Sequence, residues 1–156
     1  MLRWSLIFLL PFLALLTTPS SAQCPPNTFN ATELRECVHI ELAPANRSQQ
    51  WDMCAGLKGY LISIHSLYQN NALVQYASEV SPSAGLLYTA LYYEQVGHIQ
   101  FWENWDGTTV DYLNWAPGEP TPGVQCATID VPSGKWYAVD CGRPLGAICE
   151  IYYPRA

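Results

Sequence analysis

Charged side chains are scarce in this chain. They make up 13% of its residues, against roughly a quarter in an ordinary globular protein. Basic residues are the rarer sign, seven against thirteen acidic ones, which leaves a formal net charge of −6. That balance disfavours nucleic acid and anionic membrane surfaces as partners, because both are gripped by basic patches. Several short chemical signatures are missing as well. There is no C-x-x-C pair and no H-x-x-x-H partner to hold zinc, no G-x-S-x-G elbow and no H-E-x-x-H. His39, His65 and His98 lie in unrelated contexts. A carboxylate pair such as Glu119 and Asp140 has the residue types for acid–base work, but nothing in the sequence singles it out. No enzymatic activity is expected.

Long apolar runs are lacking too. One run, Leu6 to Leu16, follows the single basic residue Arg3 and is interrupted by Pro11. It is far shorter than the ~20 residues that span a bilayer. Ser20 and Ala22 stand at the −3 and −1 positions of a cleavage site, so residues 1–22 read as a secretory signal peptide. The expected mature chain is then a single domain, residues 23–156, secreted to the extracellular space without membrane insertion. Losing Arg3 takes its net charge to about −7.

Cysteine, by contrast, is plentiful. Cys24, Cys37, Cys54, Cys126, Cys141 and Cys149 all follow the cleavage point. An even number in a secreted chain argues for three disulfides, though six cysteines allow 15 pairings and spacing alone does not choose among them. The sequons Asn30-Ala31-Thr32 and Asn46-Arg47-Ser48 fit the same compartment and mark Asn30 and Asn46 as N-glycosylation positions. Aromatic residues reach 13% of the chain, enough with its aliphatics to build a real core.

Along the mature chain no repeat, linker or low-complexity tract appears. Thr28 to Leu42 reads as a small hairpin. Ser48 can cap a helix through Trp51, Cys54 and Ala55, with Gly56 as its stop. "GYLISI", residues 59–64, reads as a buried strand. Ser66 and Gln69 form a capping box for a second helix, with Leu67, Leu73, Val74 and Ala77 on one side, ending near Ser78. Beyond Leu86 no helical period remains. "LLYTALYY" looks like a strand, "WDGTTVDYLNW" like a turn and a strand, and "QCATIDV", "GKWYAVD" and "GAICEIYY" like three more. Helices first and strands after make an α+β domain. Between Trp115 and Cys126, Gly and Pro supply five of ten residues, so that segment is a structured loop.

Trp51 before Cys54, "GYLISIHS", "WDGTTVDYLNWAPGEP", Cys126, "GKWYAVDC" and "GAICE" together resemble the C-type lectin-like domain family in its long form. The resemblance covers residues 24 to 151. It implies two helices, a small antiparallel sheet and a long structured loop that carries the ligand site. It also implies the bridges Cys24–Cys37, Cys54–Cys149 and Cys126–Cys141. The second would close a loop of ~95 residues, worth roughly 4–5 kcal/mol by chain entropy, and the third one of ~15 residues, worth about 3 kcal/mol. All six cysteines then have partners within the chain, so no interchain disulfide is expected.

In sugar-binding members of that family a calcium ion in the loop chelates two sugar hydroxyls. Ca²⁺ needs 6–8 oxygen ligands. Here the family's E-P-N reads Glu119-Pro120-Thr121, with Pro120 a candidate for a cis bond and Thr121 a poor substitute for an amide oxygen. Val124 stands where a further carboxylate is usual. The W-N-D-x-x-C motif has become Trp136-Tyr137-Ala138-Val139-Asp140-Cys141, losing both Asn and Asp. Asp140 shares a strand face with Ala138 but lies ~6–7 Å further along. Glu119 therefore reads as a hydrogen-bonded or solvated loop residue, and no cofactor is expected. Trp51, Trp115 and Trp136 fall at core positions, while Tyr137 should face outward as a ligand-contacting residue. The candidate site is thus Glu119, Pro120, Thr121, Tyr137 and Asp140. The expected function is recognition of a glycan or protein ligand without calcium. The alternative is a calcium-dependent lectin of mannose type with a non-standard site.

Overall fold

Asn46 starts the first helix. In the computed structural model, which describes residues 24–26, 28–31 and 36–152, its side chain accepts from the Gln49 N–H while the Gln49 side chain accepts from the Asn46 N–H. This reciprocal capping box replaces the Ser48 cap expected from the sequence, because only Asn46 lies three residues before a Gln that can reach back. Helix α1 spans Arg47–Gly56 and ends at a Leu57 cap, with Lys58 taking the left-handed turn at φ 62°. The expected signal segment 1–22, Gln23 and Thr32 of the first sequon lie outside the described residues.

Helix α2 spans Leu67–Val80 and is capped by Ser66, as the sequence indicated. The other half of the expected box differs, since Gln69 accepts from the His65 N–H rather than from Ser66. Leu73 and Ala77 are buried and Val74 packs against the core as expected, but Leu67 departs from that side and is exposed, while Gln69 and Asn70 are buried.

Among the described residues eight strands make one sheet. They are β1 Phe29–Ala31, β2 Glu36–Ala45, β3 Gly59–Leu61, β4 Leu86–Val96, β5 Ile99–Asn104, β6 Cys126–Asp130, β7 Trp136–Val139 and β8 Leu145–Ile151. The main order is β1-β2-β8-β4-β6-β7, with β3 on β8 and β5 on β4. Pairing is antiparallel except between β4 and β8. Two expectations change here. "GYLISI" is a strand only to Leu61, and residues 108–114 form no strand, although Trp115 makes an isolated bridge to Trp136. Strand β5, not anticipated, follows a two-residue turn at Gly97 and His98, where Gly97 holds φ 63° in the left-handed region that glycine enters freely.

Alternate residues of the strands feed two cores. Leu87, Leu91, Ile129 and Ile148 meet Leu73 and Ala77 of α2. Tyr88, Ala90, Ala147 and Cys149 meet Cys54 of α1 on the other side. Disulfides tie Cys24 to Cys37, Cys54 to Cys149 and Cys126 to Cys141, the second across 95 residues of sequence and the third across 15. Fully buried Tyr88 donates its hydroxyl hydrogen to the Arg143 carbonyl at 2.7 Å. Burial, reinforced by the nearby Asp140, pushes that phenol up to about 12. Gln50 donates to the carbonyls of Ala43 and Leu145 at 2.7 and 2.6 Å, so its burial leaves no donor unmet.

Candidate functional site

The long loop leaves the sheet at Trp105 and re-enters it at Gln125. Its first turn is anchored by hydroxyls. Asp106 accepts from Ser63 at 2.8 Å and from the Thr108 side chain at 2.6 Å. Burial alone would raise its carboxyl, but these hydrogen bonds outweigh burial and hold it below the ordinary aspartate range. His65, isolated in the sequence, stands 2.9 Å from Asp111 and 3.3 Å from the Thr108 hydroxyl. The three have the residue types of a nucleophilic triad, but the Thr108 hydrogen goes to Asp106. The hydroxyl is thus a structural link, not one primed by the imidazole.

The middle of the loop is sealed by rings. Tyr93 packs on Trp102, Trp102 on Trp115, and Trp115 on Trp136, with centroids 5.5, 4.8 and 5.9 Å apart. Trp136 is 2% exposed and donates its indole hydrogen to Asn70 at 2.8 Å. Asn114 donates to the Gly134 carbonyl and accepts from Lys135. These contacts leave the loop little freedom, as its Pro and Gly content suggested.

At the tip the peptide bond between Glu119 and Pro120 is cis. Both oxygens of Glu119 are engaged. One accepts from the backbone of Thr121 at 2.7 Å and of Ala138 at 3.0 Å; the other accepts from the Thr121 hydroxyl at 3.0 Å. Desolvation would raise this carboxyl, yet the three donors prevail and hold it below its ordinary value of 4.5. The carboxylate thus pins the loop to β7. Tyr137, next to Ala138 on β7, is half-buried, with its carbonyl accepting from Thr128 at 2.9 Å. Asp140 is not gathered in. Its side chain accepts from the Gly142 N–H at 2.6 Å and shapes the turn into β8.

A calcium ion does not fit this donor set. It would need most of six to eight oxygens from the protein. Glu119 already accepts three hydrogen bonds, Thr121 turns its hydroxyl hydrogen to that same carboxylate, and Val124 and Ala138 offer no side-chain oxygen. Among the described residues no group of three or more His, Cys, Asp or Glu stands together to hold a metal.

A second feature escaped the sequence. At the base of the loop, beside the Cys126–Cys141 bridge, a cleft of about 320 Å³ is walled by Trp51, Tyr92 and Trp105 with Arg47 between them. Neither Glu119, Thr121 nor Tyr137 lines it. The Arg47 guanidinium lies 5.2 Å from the Tyr92 centroid and 5.6 Å from that of Trp105. Trp105, in turn, packs on Trp51 and Tyr92 at 5.2 Å each. Trp51 was expected only as a core residue, yet it is part packing and part wall. The sequence signals were Arg47 and Trp51, four apart on one helix face, and Tyr92 and Trp105 among the aromatics that flank the loop.

The family model for the lectin C-type domain matches residues 43–151. The chain is 34% identical over 135 residues to the human low affinity immunoglobulin epsilon Fc receptor, covering 81% of this chain and 38% of that receptor. The chain therefore spans well under half of that relative, and 37% of its mouse counterpart. In structure it is similar to human lithostathine, with a TM-score of 0.76, 17% identity, and coverage of 86% of this chain and 94% of the other. It is also similar to the cow C-type carbohydrate-recognition domain of CD23 in the presence of a GlcNAc2Man3 oligosaccharide. There the TM-score is 0.69 at 27% identity, over 85% and 98% of the two chains.

Proposed function

The chain belongs to the C-type lectin domain family, whose members are recognition proteins rather than enzymes, and from that premise we propose that it is a secreted module that binds a glycan or protein ligand without calcium. One observation carries the reading. The Glu119 carboxylate, the one carboxylate kept from the family's grip, is taken up by Thr121 and Ala138. Calcium would have to break those bonds and would find no neighbouring acid to complete its shell.

Secretion is supported by the apolar leader and by three disulfides, which persist in oxidising compartments. Among the described residues no helix is long and apolar enough to cross a membrane. The excess of acidic residues speaks against nucleic acid as the partner.

The test is thermal unfolding of the disulfide-intact protein in millimolar calcium and in EDTA. The expected result is coincident curves. A working site at a hundredfold excess over Kd would add ~2.7 kcal/mol, or roughly 8–16 °C for a chain of this size. A shift of that order overturns the proposal and restores the mannose-type alternative.

A further inference from the structure

We infer that the cleft between Arg47, Trp51, Tyr92 and Trp105 is a second binding site, built for one uncharged pyranose unit of a glycan and independent of calcium. This rests on the calcium-free reading above, which it deepens by naming a place and a ligand class.

Three properties of the cleft lead there. Its walls are rings, and a pyranose presents C–H faces that lie well against aromatic faces. Trp105 is 49% exposed, so part of that ring is still open to solvent beside Arg47, Trp51 and Tyr92.

Its polar groups, secondly, are left over. Arg47 makes one hydrogen bond, from Nη2 to the Ala90 carbonyl at 3.1 Å, out of the five N–H donors a guanidinium carries. Its Nε is sealed from solvent and has no partner among the described residues. A buried donor without an acceptor is rare enough to need a reason. Ser48, Glu94 and Gln125 also line the cleft, and none of their side chains makes a hydrogen bond to another described side chain or backbone group. Arg47 and Glu94 form no ion pair although both line the same space. A cation and an anion that line one cleft without pairing suit hydroxyl groups, which donate to the carboxylate and accept from the guanidinium.

Charge, thirdly, selects the class. Glu94 lines the cleft, Glu103 accepts from the Tyr92 hydroxyl, and the chain carries a net charge of −6. An acidic sugar or acidic peptide would meet that field unfavourably. The volume is at the small end of ligand clefts, which suits one sugar unit rather than a folded partner.

The experiment is a nitrogen–proton NMR titration of the full mature protein in EDTA, following the tryptophan indole and Arg47 Nε signals. Glucose, galactose, mannose and N-acetylglucosamine are the neutral probes and glucuronate the anionic one. At least one neutral sugar should shift Trp51, Trp105 and Arg47 saturably with roughly millimolar affinity, as befits so small a ligand. Buried Trp136 should stay still. The Trp105→Ala protein should lose the response, and Arg47→Lys, which keeps the charge but removes the fork, should weaken it roughly tenfold. A response to glucuronate alone overturns the ligand class. Silence from all neutral sugars, with or without calcium, overturns the site while leaving the calcium-free reading intact. Shifts that need calcium and centre on Thr121 and Tyr137 overturn both.

Discussion

The tip of the long loop and the cleft at its base treat their polar groups in opposite ways. At the tip, Glu119 accepts three hydrogen bonds and Thr121 supplies two of them, so both of these polar side chains are already bonded to the loop or to β7. At the base, Arg47 is half-buried against two rings with most of its donors unused. Burial pulls that guanidinium below its ordinary value, the nearby Tyr88 offsetting part of the effect. The contrast teaches that an inherited motif is not evidence of a working site. Glu119-Pro120 keeps the form of a grip, yet its carboxylate has become an internal strut. The cleft carries no motif and has the open valences that recognition requires.

The harshest way to break the comparison is to remove what both regions share. The Cys126–Cys141 bridge borders the cleft and ties β6 to the turn after β7, the strand on which the loop tip rests. Replacing both cysteines with alanine should cost about 3 kcal/mol. The melting temperature should drop, and sugar response and loop protection should fail together. If one survives intact without the bridge, the two regions are less coupled than the fold suggests. A gentler cut addresses the loop alone. Trp136→Phe keeps the ring but leaves the buried Asn70 oxygen without its 2.8 Å donor, for about 1–3 kcal/mol. Amide exchange should quicken around Asn114 and Gly134, while the indole signals of Trp51 and Trp105 keep their positions.

Legibility in the sequence followed the range of the interactions. The bridges and both helices could be read from cysteine order, caps and short periods, because those patterns are local or carried by the family resemblance. Even there Asn46 outcompeted Ser48, a choice decided by which side chain meets Gln49. Residues 108–114 looked like a strand following a turn, and in the structure Val110 and Tyr112 do alternate with exposed neighbours. That alternation is real, but it reflects packing on the main core and on Trp136, with no partner strand to complete a ladder. Strand β5 was hidden by a turn of two residues. The depleted grip was visible, since absent ligands can be counted by position. Its new duty as a strut was not, because the Ala138 N–H that receives Glu119 has no side chain to announce it. The cleft was the least legible part. Tyr92 and Trp105 reach Arg47 only once β4 and the loop have folded against α1.

The smallest expected effect isolates the strut itself. Glu119→Gln preserves size but places an N–H where a carboxylate oxygen accepted, so one of the three donors loses its partner, for about 1 kcal/mol at a half-exposed position. Acid should reproduce that change in the unmodified protein. The folded carboxyl is held below 4.5, so its contribution is complete above the unfolded value and disappears as pH falls through the lower folded one. The gap in melting temperature between wild type and Glu119→Gln should therefore be constant near neutrality and close as the pH drops below the ordinary carboxylate range. Asp106 is depressed in the same direction and will lower both curves, but it acts equally in the two proteins and cancels from the gap. A gap that stays constant down to the lowest pH would mean that Glu119 does not hold the loop through its charge. The carboxylate would then be free to serve a ligand, and the distinction between tip and base would collapse.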